Sequence, residues 1–113
     1  MSITIERLAS LIQREIAPII NNEIKDQPFG YINVTEVKVT KDISFANIYY
    51  TILSDDEKML ELAKKVLDSA NAKIRMELAK KIKKIRKIPE LVFKFDEALA
   101  YGNRIDSLLK TIK

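Results

Sequence analysis

From residue 4 to residue 25 an aliphatic side chain returns every three or four positions: Ile5, Leu8, Ile12, Ile16, Ile19, Ile20 and Ile24, with Arg7, Arg14, Glu15 and Glu23 between them. That period predicts an amphipathic helix over 4–25. Pro18 lies inside it, and a proline removes one backbone hydrogen bond and crowds the preceding turn. A kink or restart near Ala17 is therefore expected within a single element. Lys25 to Gly30, with Pro28 and Gly30, reads as a turn. The period then falls to two. Ile32 and Val34 alternate in one phase and Val37 and Val39 in the other, which predicts a strand over 31–40 with a bulge at Thr35-Glu36.

Thr40-Lys41-Asp42 is a hairpin-length break before a second strand, Ile43 to Leu53, whose inward face is expected to be Ala46, Ile48, Tyr50 and Ile52. Ser54 and Glu57 have the spacing of a capping box, so a helix is expected to start there, with Leu60, Ala63, Leu67 and Ala70 as its buried stripe. Helical spacing continues to Ile88. That is too long for one uninterrupted helix on so small a globule, and Asn71, a poor interior residue that tolerates left-handed backbone, marks the expected bend. Pro89 ends the helical run, and Leu91, Phe93 and Phe95 form a third strand. After a loop through Tyr101-Gly102, a short helix with Ile105, Leu108, Leu109 and Ile112 facing inward closes the chain. The order α-β-β-α-α-β-α predicts an α+β domain, a three-stranded sheet with helices packed on one face. The 113 residues are expected to form a single domain, large enough to bury roughly two-thirds of its unfolded surface.

Charge changes the picture most between Lys73 and Lys87. Lys73, Arg75, Lys80, Lys81, Lys83, Lys84, Arg86 and Lys87 stand there against one acid, Glu77, in a chain whose net charge is only +4. A positive field concentrated on one segment is the arrangement expected where a protein meets a polyanion, and nucleic acid is the expected partner rather than simple solvation of a lysine-rich face. At 100° per residue Ile74, Leu78, Ile82, Ile85 and Ile88 fall within about 120°, and most of the cations occupy the remaining arc. Lys81 falls in the apolar arc, so either its stem snorkels outward or the helix bends. No aromatic residue lies between Leu53 and Phe93, which favours contact with backbone and shape over base stacking.

Other chemistry is narrowed by what the chain lacks. It has no Cys and no His, which removes disulfides, thiol nucleophiles, Cys/His zinc sites and the commonest neutral-pH base. Its only glycines are Gly30 and Gly102, so there is no glycine-rich phosphate loop, and neither an enzyme nor a cofactor is expected. Asp55, Asp56 and Glu57 could attract a hard cation, but capping and the helix dipole account for them. Tyr49 and Tyr50 point to opposite sides of a strand, with Tyr50 the expected core residue. Arg7, Arg14 and Arg104 are secondary basic candidates. No apolar run reaches the roughly 18 residues of a membrane span, and Glu6 interrupts any secretory leader, so a cytoplasmic protein without membrane association is expected.

Five segments in order carry a resemblance: Glu15-Ile16; Asp42 to Tyr49; Ala70-Asn71-Ala72-Lys73-Ile74-Arg75; Ile85-Arg86-Lys87-Ile88-Pro89-Glu90-Leu91; and Tyr101-Gly102-Asn103-Arg104-Ile105. Together they resemble the bacterial ribosome-binding factor A family over nearly the whole chain. The resemblance implies a type II KH-like fold and a non-enzymatic assembly factor. Such a factor binds the small (30S) ribosomal subunit, contacts 16S rRNA and assists maturation of the rRNA 5′ end, notably in the cold. A monomer is expected. The family pattern has Ala-x-Gly at a kink between paired helices, where this chain has Ala70, Asn71 and Ala72. Either Asn71 carries the bend or the two helices run on as one. The chain also has one residue more near Lys83-Lys84 than the family pattern.

The residues alone leave open a general basic RNA-binding module and a module docking on anionic membrane. The latter needs bulky apolar residues flanking the cations, where only Met76 stands.

Overall fold

The computed structural model describes residues 4–82 and 88–97, and in them the order is α1 (Ile5–Glu23), β1 (Asn33–Val39), β2 (Phe45–Thr51), α2 (Glu57–Lys81) and β3 (Glu90–Phe95). The expected C-terminal helix, with Arg104, and the cations Lys83, Lys84, Arg86 and Lys87 lie outside the described residues. Thr4 caps α1 by accepting from the Arg7 amide, and Leu8, Ile12, Ile16 and Ile20 form an i, i+4 row that is fully buried. The helix continues through Pro18, whose side chain is exposed. Asp26 and Gly30 take positive φ in the turn that follows, and Phe29 between them is buried as its anchor.

The sheet order is β1-β2-β3, with β1 antiparallel and β3 parallel to β2. A parallel pair needs a crossover, and α2 supplies it. The bulge lies where the phase of the valines changes: Val34 pairs with Tyr50 and Glu36 with Tyr49, and Thr35 is the extra residue. Val37, Ala46, Ile48, Tyr50, Leu91 and Phe93 face the helices and join one core with the apolar rows of α1 and α2. Tyr50 meets Phe95 edge to face, with ring centres 5.9 Å apart.

Three expectations change in the structure. The second strand begins at Phe45, not Ile43, because Ile43 has φ 60° inside a hairpin held by Asp42 and Thr40. The Asp42 carboxylate accepts from the Ser44 amide and the Thr40 hydroxyl, and the Phe45 amide donates to Thr40 Oγ1. The second helix is capped by Asp56, which accepts from the Lys58 amide at 2.9 Å; Ser54 accepts instead from the Asp56 amide, two residues too early to cap. Finally, the paired helices joined at Ala70-Asn71-Ala72 are one helix. Ala63, Leu67, Ile74 and Leu78 are its fully buried residues, with Ala70 packed beside them, a continuous stripe across the expected joint. Ala70 and Ala72 are strong helix formers, and Asn71 spends its side chain elsewhere, so nothing at the joint competes with the helical backbone.

Both outer strands are engaged by the helix packed on them. On β1's side, Asn21 of α1 accepts from the Ile32 amide at 2.8 Å and donates to the Ile32 carbonyl at 2.9 Å, and Gln13 donates to the Thr35 carbonyl. At the two ends of β3 the Glu90 amide donates to the Ser44 carbonyl, just before β2, and the Asp96 amide, just after β3, to the Tyr50 carbonyl of β2. Even-numbered residues therefore turn their peptide groups toward β2 and odd-numbered ones away from it. The outward carbonyls of Phe93, Leu91 and Pro89 accept from Lys64, Asn71 and Arg75 of α2.

Candidate nucleic-acid interface

At about 1.5 Å per residue, α2 is about 37 Å long, and its surface divides into three arcs. One carries the core stripe. Beside it, Lys64, Asp68, Asn71 and Arg75 fall within about 60° on a helical wheel and face the edge of β3. The third arc is turned away from the sheet and holds Lys65, Lys73, Met76 and Lys80, all exposed.

Of the expected contact residues within the described chain, Lys73, Lys80 and Lys81 are exposed and Arg75 is half-buried. Lys80 bonds Glu77 at 3.2 Å, while among the described residues no ion pair holds Lys73 or Lys81. Arg75 is committed to backbone, with Nη2 donating to the Ile88 carbonyl at 2.6 Å and Nε to the Pro89 carbonyl at 3.3 Å. Lys81, the last residue of α2, is exposed on the side of the helix that lines the groove with α1, and Ile82, the C-cap, is buried.

Lys73 and Lys81 stand two turns apart, about 12 Å along the axis. They flank a groove of about 730 Å³ between α1 and α2, whose other walls include Glu15, Pro18, Ile19, Glu23 and Glu77. Three carboxylates beside two ammonium groups weaken the field there relative to the linear charge count. The α1 contribution could not be read from the sequence, because Glu15 and Glu23 are remote from Lys73 in the chain. Arg14, exposed on α1, is near Glu15 at 3.6 Å and Arg7 is exposed one helical turn from the N-cap. Of the three residues expected at the kink, Ala70 is half-buried against the core, Ala72 is exposed, and Asn71 donates to the Leu91 carbonyl at 2.9 Å.

The arc can offer ammonium groups to phosphate, but among the described residues it presents no ring for a base to stack on. Tyr49 lies on the opposite face of the sheet with Lys38 Nζ 5.7 Å from its ring centre. Among the described residues two titratable groups are perturbed, and neither is on the lysine-bearing arc. Burial, then the charge of Asp68, pushes the Tyr50 phenol up to about 12. Hydrogen bonds from Ser44 and Thr40 hold Asp42 below the usual carboxylate range. Among the described residues no group of acidic side chains is arranged to hold a metal ion, and Asp55, Asp56 and Glu57 include the helix cap described above. No described helix is long and apolar enough to cross a membrane.

A family model described as ribosome-binding factor A matches residues 4–109. The chain is 55% identical over 112 residues to ribosome-binding factor A of Phytoplasma mali (strain AT), covering 99% of this chain and 98% of that protein. Its fold is similar to the crystal structure of ribosome-binding factor A from Thermus thermophilus, with a TM-score of 0.67 at 22% identity over 81% of this chain and 96% of the other. It is likewise similar, with a TM-score of 0.66 at 22% identity over 79% and 91%, to the Thermus thermophilus homology model fitted into a cryo-EM map of a 30S complex of that factor.

Proposed function

The chain belongs to the ribosome-binding factor A family, and from that premise we propose that it binds the small ribosomal subunit through 16S rRNA as a non-catalytic assembly factor. The observation that carries the RNA side of this reading is the exposure of Lys73, Lys80 and Lys81 at the C-terminal end of α2. The same basic run continues in sequence through Lys83, Lys84, Arg86 and Lys87. Ammonium groups on one helix surface displace counterions from phosphate without reading bases, so the shape of a folded rRNA, not its sequence, selects the site. Assistance with maturation of the 16S rRNA 5′ end, a greater demand for that assistance in the cold, and a cytoplasmic location belong to the same proposal.

We also propose that the factor acts as a monomer. Strand edges that offer free peptide groups invite pairing with another chain, and in this fold α1 and α2 side chains occupy peptide groups on both outer edges.

Co-sedimentation tests the reading. Purified chain should pellet with small subunits and not with large ones. With about five phosphates neutralised at a slope of roughly −0.7 to −0.9 each, raising salt from about 50 to about 200 mM should weaken binding about a hundredfold. Equal binding to both subunits would reduce the activity to nonspecific basic adhesion.

A further inference from the structure

Arg75 is one of eight cations in the basic run, yet its guanidinium faces β3. It belongs to a series along one side of α2. Lys64 donates to the Phe93 carbonyl at 2.6 Å, Asn71 to Leu91 at 2.9 Å, and Arg75 to Pro89 at 3.3 Å and Ile88 at 2.6 Å. Donors at spacings of seven and four advance up the helix while the acceptors step down the strand by twos, each step meeting the next outward carbonyl.

The last member of this series differs from the others in reach. A planar guanidinium fixes two donors in one orientation, so bonding two successive carbonyls sets both the position and the direction of the chain entering β3. Ile88 and Pro89 are buried, which gives those bonds a low-dielectric setting. Arg75 sits six residues before the end of α2, and the Glu90 amide begins the β2–β3 ladder at Ser44. One side chain thereby ties the C-terminal third of the lysine-bearing helix to the start of the parallel strand.

We propose that Arg75 is a positioning residue that fixes α2 against the entry to β3, and that phosphate neutralisation is left to the cations on the exposed arc. This rests on the RNA-binding reading for its functional half. Its structural half stands independently: the geometry, not the charge, of Arg75 is what the fold uses.

Three variants separate geometry from charge: R75K, R75M and K73Q, each measured for the salt dependence of rRNA binding and for hydrogen exchange at the Glu90 amide. R75K keeps the charge but offers a single donor centre. For R75K and R75M, Glu90 exchange should be about tenfold faster, the equivalent of one charge-assisted hydrogen bond. Affinity should fall several-fold, with the salt slope unchanged. K73Q should do the reverse, lowering the slope by about 0.7–0.9 with Glu90 exchange as in the parent. The proposal is overturned if R75M loses slope as K73Q does while R75K behaves as the parent, or if Glu90 exchange is the same in all three. Should the parent chain fail to bind rRNA, the proposed function falls, and Glu90 exchange in R75K still decides whether Arg75 positions the strand.

Discussion

Lys73 and Arg75 stand two residues apart on one helix with the same formal charge, and the structure gives them different work. Lys73 is exposed and faces the groove beside α1, whereas Arg75 is half-buried and bonded to two carbonyls. Lys64 and Lys80 repeat the contrast: each pairs with an acid about one turn away, Asp68 and Glu77, but only Lys64 also donates to a β3 carbonyl. A charge count treats all four as the same. What separates them is the direction from the helix axis, because a donor beside the core stripe meets the peptide groups of an outer strand, which must find partners, while a donor opposite the core meets water or a ligand.

The largest test of this contrast reverses charge at two exposed lysines of α2 that no ion pair holds among the described residues. Lys73→Glu with Lys81→Glu should weaken small-subunit binding about a hundredfold, taking roughly tenfold for each site as the attraction to phosphate becomes repulsion. Each change should alter stability by no more than about 0.5 kcal/mol, because neither side chain is engaged in the fold. Pairing co-sedimentation with thermal unfolding checks both halves. A folded double variant with parent affinity would remove Lys73 and Lys81 from the interface and direct attention to Arg7 and Arg14.

How far the sequence foretold the fold depended on whether its signal was local. The change of phase between Val34 and Val37 located the bulge at Thr35 because alternation is written in adjacent residues. Tyr50 as the core member of the Tyr49-Tyr50 pair followed from the same alternation. The helix start was misplaced by two residues, since Ser54 and Asp56 both have capping chemistry and only the turn geometry chooses between them. Ile43 was read as strand from its β-branched side chain, whereas its backbone has φ 60°, an uncommon conformation for such a residue. Partial packing of Ile43 against the core, together with the Asp42–Thr40 hydrogen bonds, accompanies that strain. The candidate site was legible as a basic helix, but the division of its cations was not. That division depends on β3 lying alongside α2, a contact between residues 13 to 29 positions apart.

A pH titration probes the β3-facing side of the helix. Tyr50 is buried beneath it, and its phenol, pushed up to about 12 by burial and then by Asp68, ionises less readily than in the unfolded chain, where the ordinary value is about 10. The folded state therefore holds the phenolic proton more tightly. Its contribution is complete below about pH 10 and is lost as the pH rises toward about 12, at a rate approaching about 1.4 kcal/mol per pH unit. Tyr50→Phe should flatten that alkaline slope in urea unfolding measured at several pH values. An unchanged slope in the variant would assign the alkaline loss to other groups.

The smallest expected effect concerns the backbone that carries both sides of the comparison. If the exposed arc and the β3-facing side are to keep their angular separation, α2 must be helical through Ala70, Asn71 and Ala72, where the family pattern has a glycine-containing kink. Ala72 is exposed, so replacing it with glycine removes no packing and tests the backbone alone. In a helix interior that change costs about 1 kcal/mol, from the greater freedom glycine has in the unfolded chain and the weaker helical preference it brings. Ala72→Gly should therefore lower stability by about 1 kcal/mol in equilibrium unfolding. It should leave binding to small subunits nearly unchanged at temperatures where the chain remains folded, since Arg75 and Asn71 still hold α2 to β3 on either side of the lost methyl. A neutral or stabilising Ala72→Gly would mean that the backbone at this joint departs from the helix, and with it the angular division between Lys73 and Arg75.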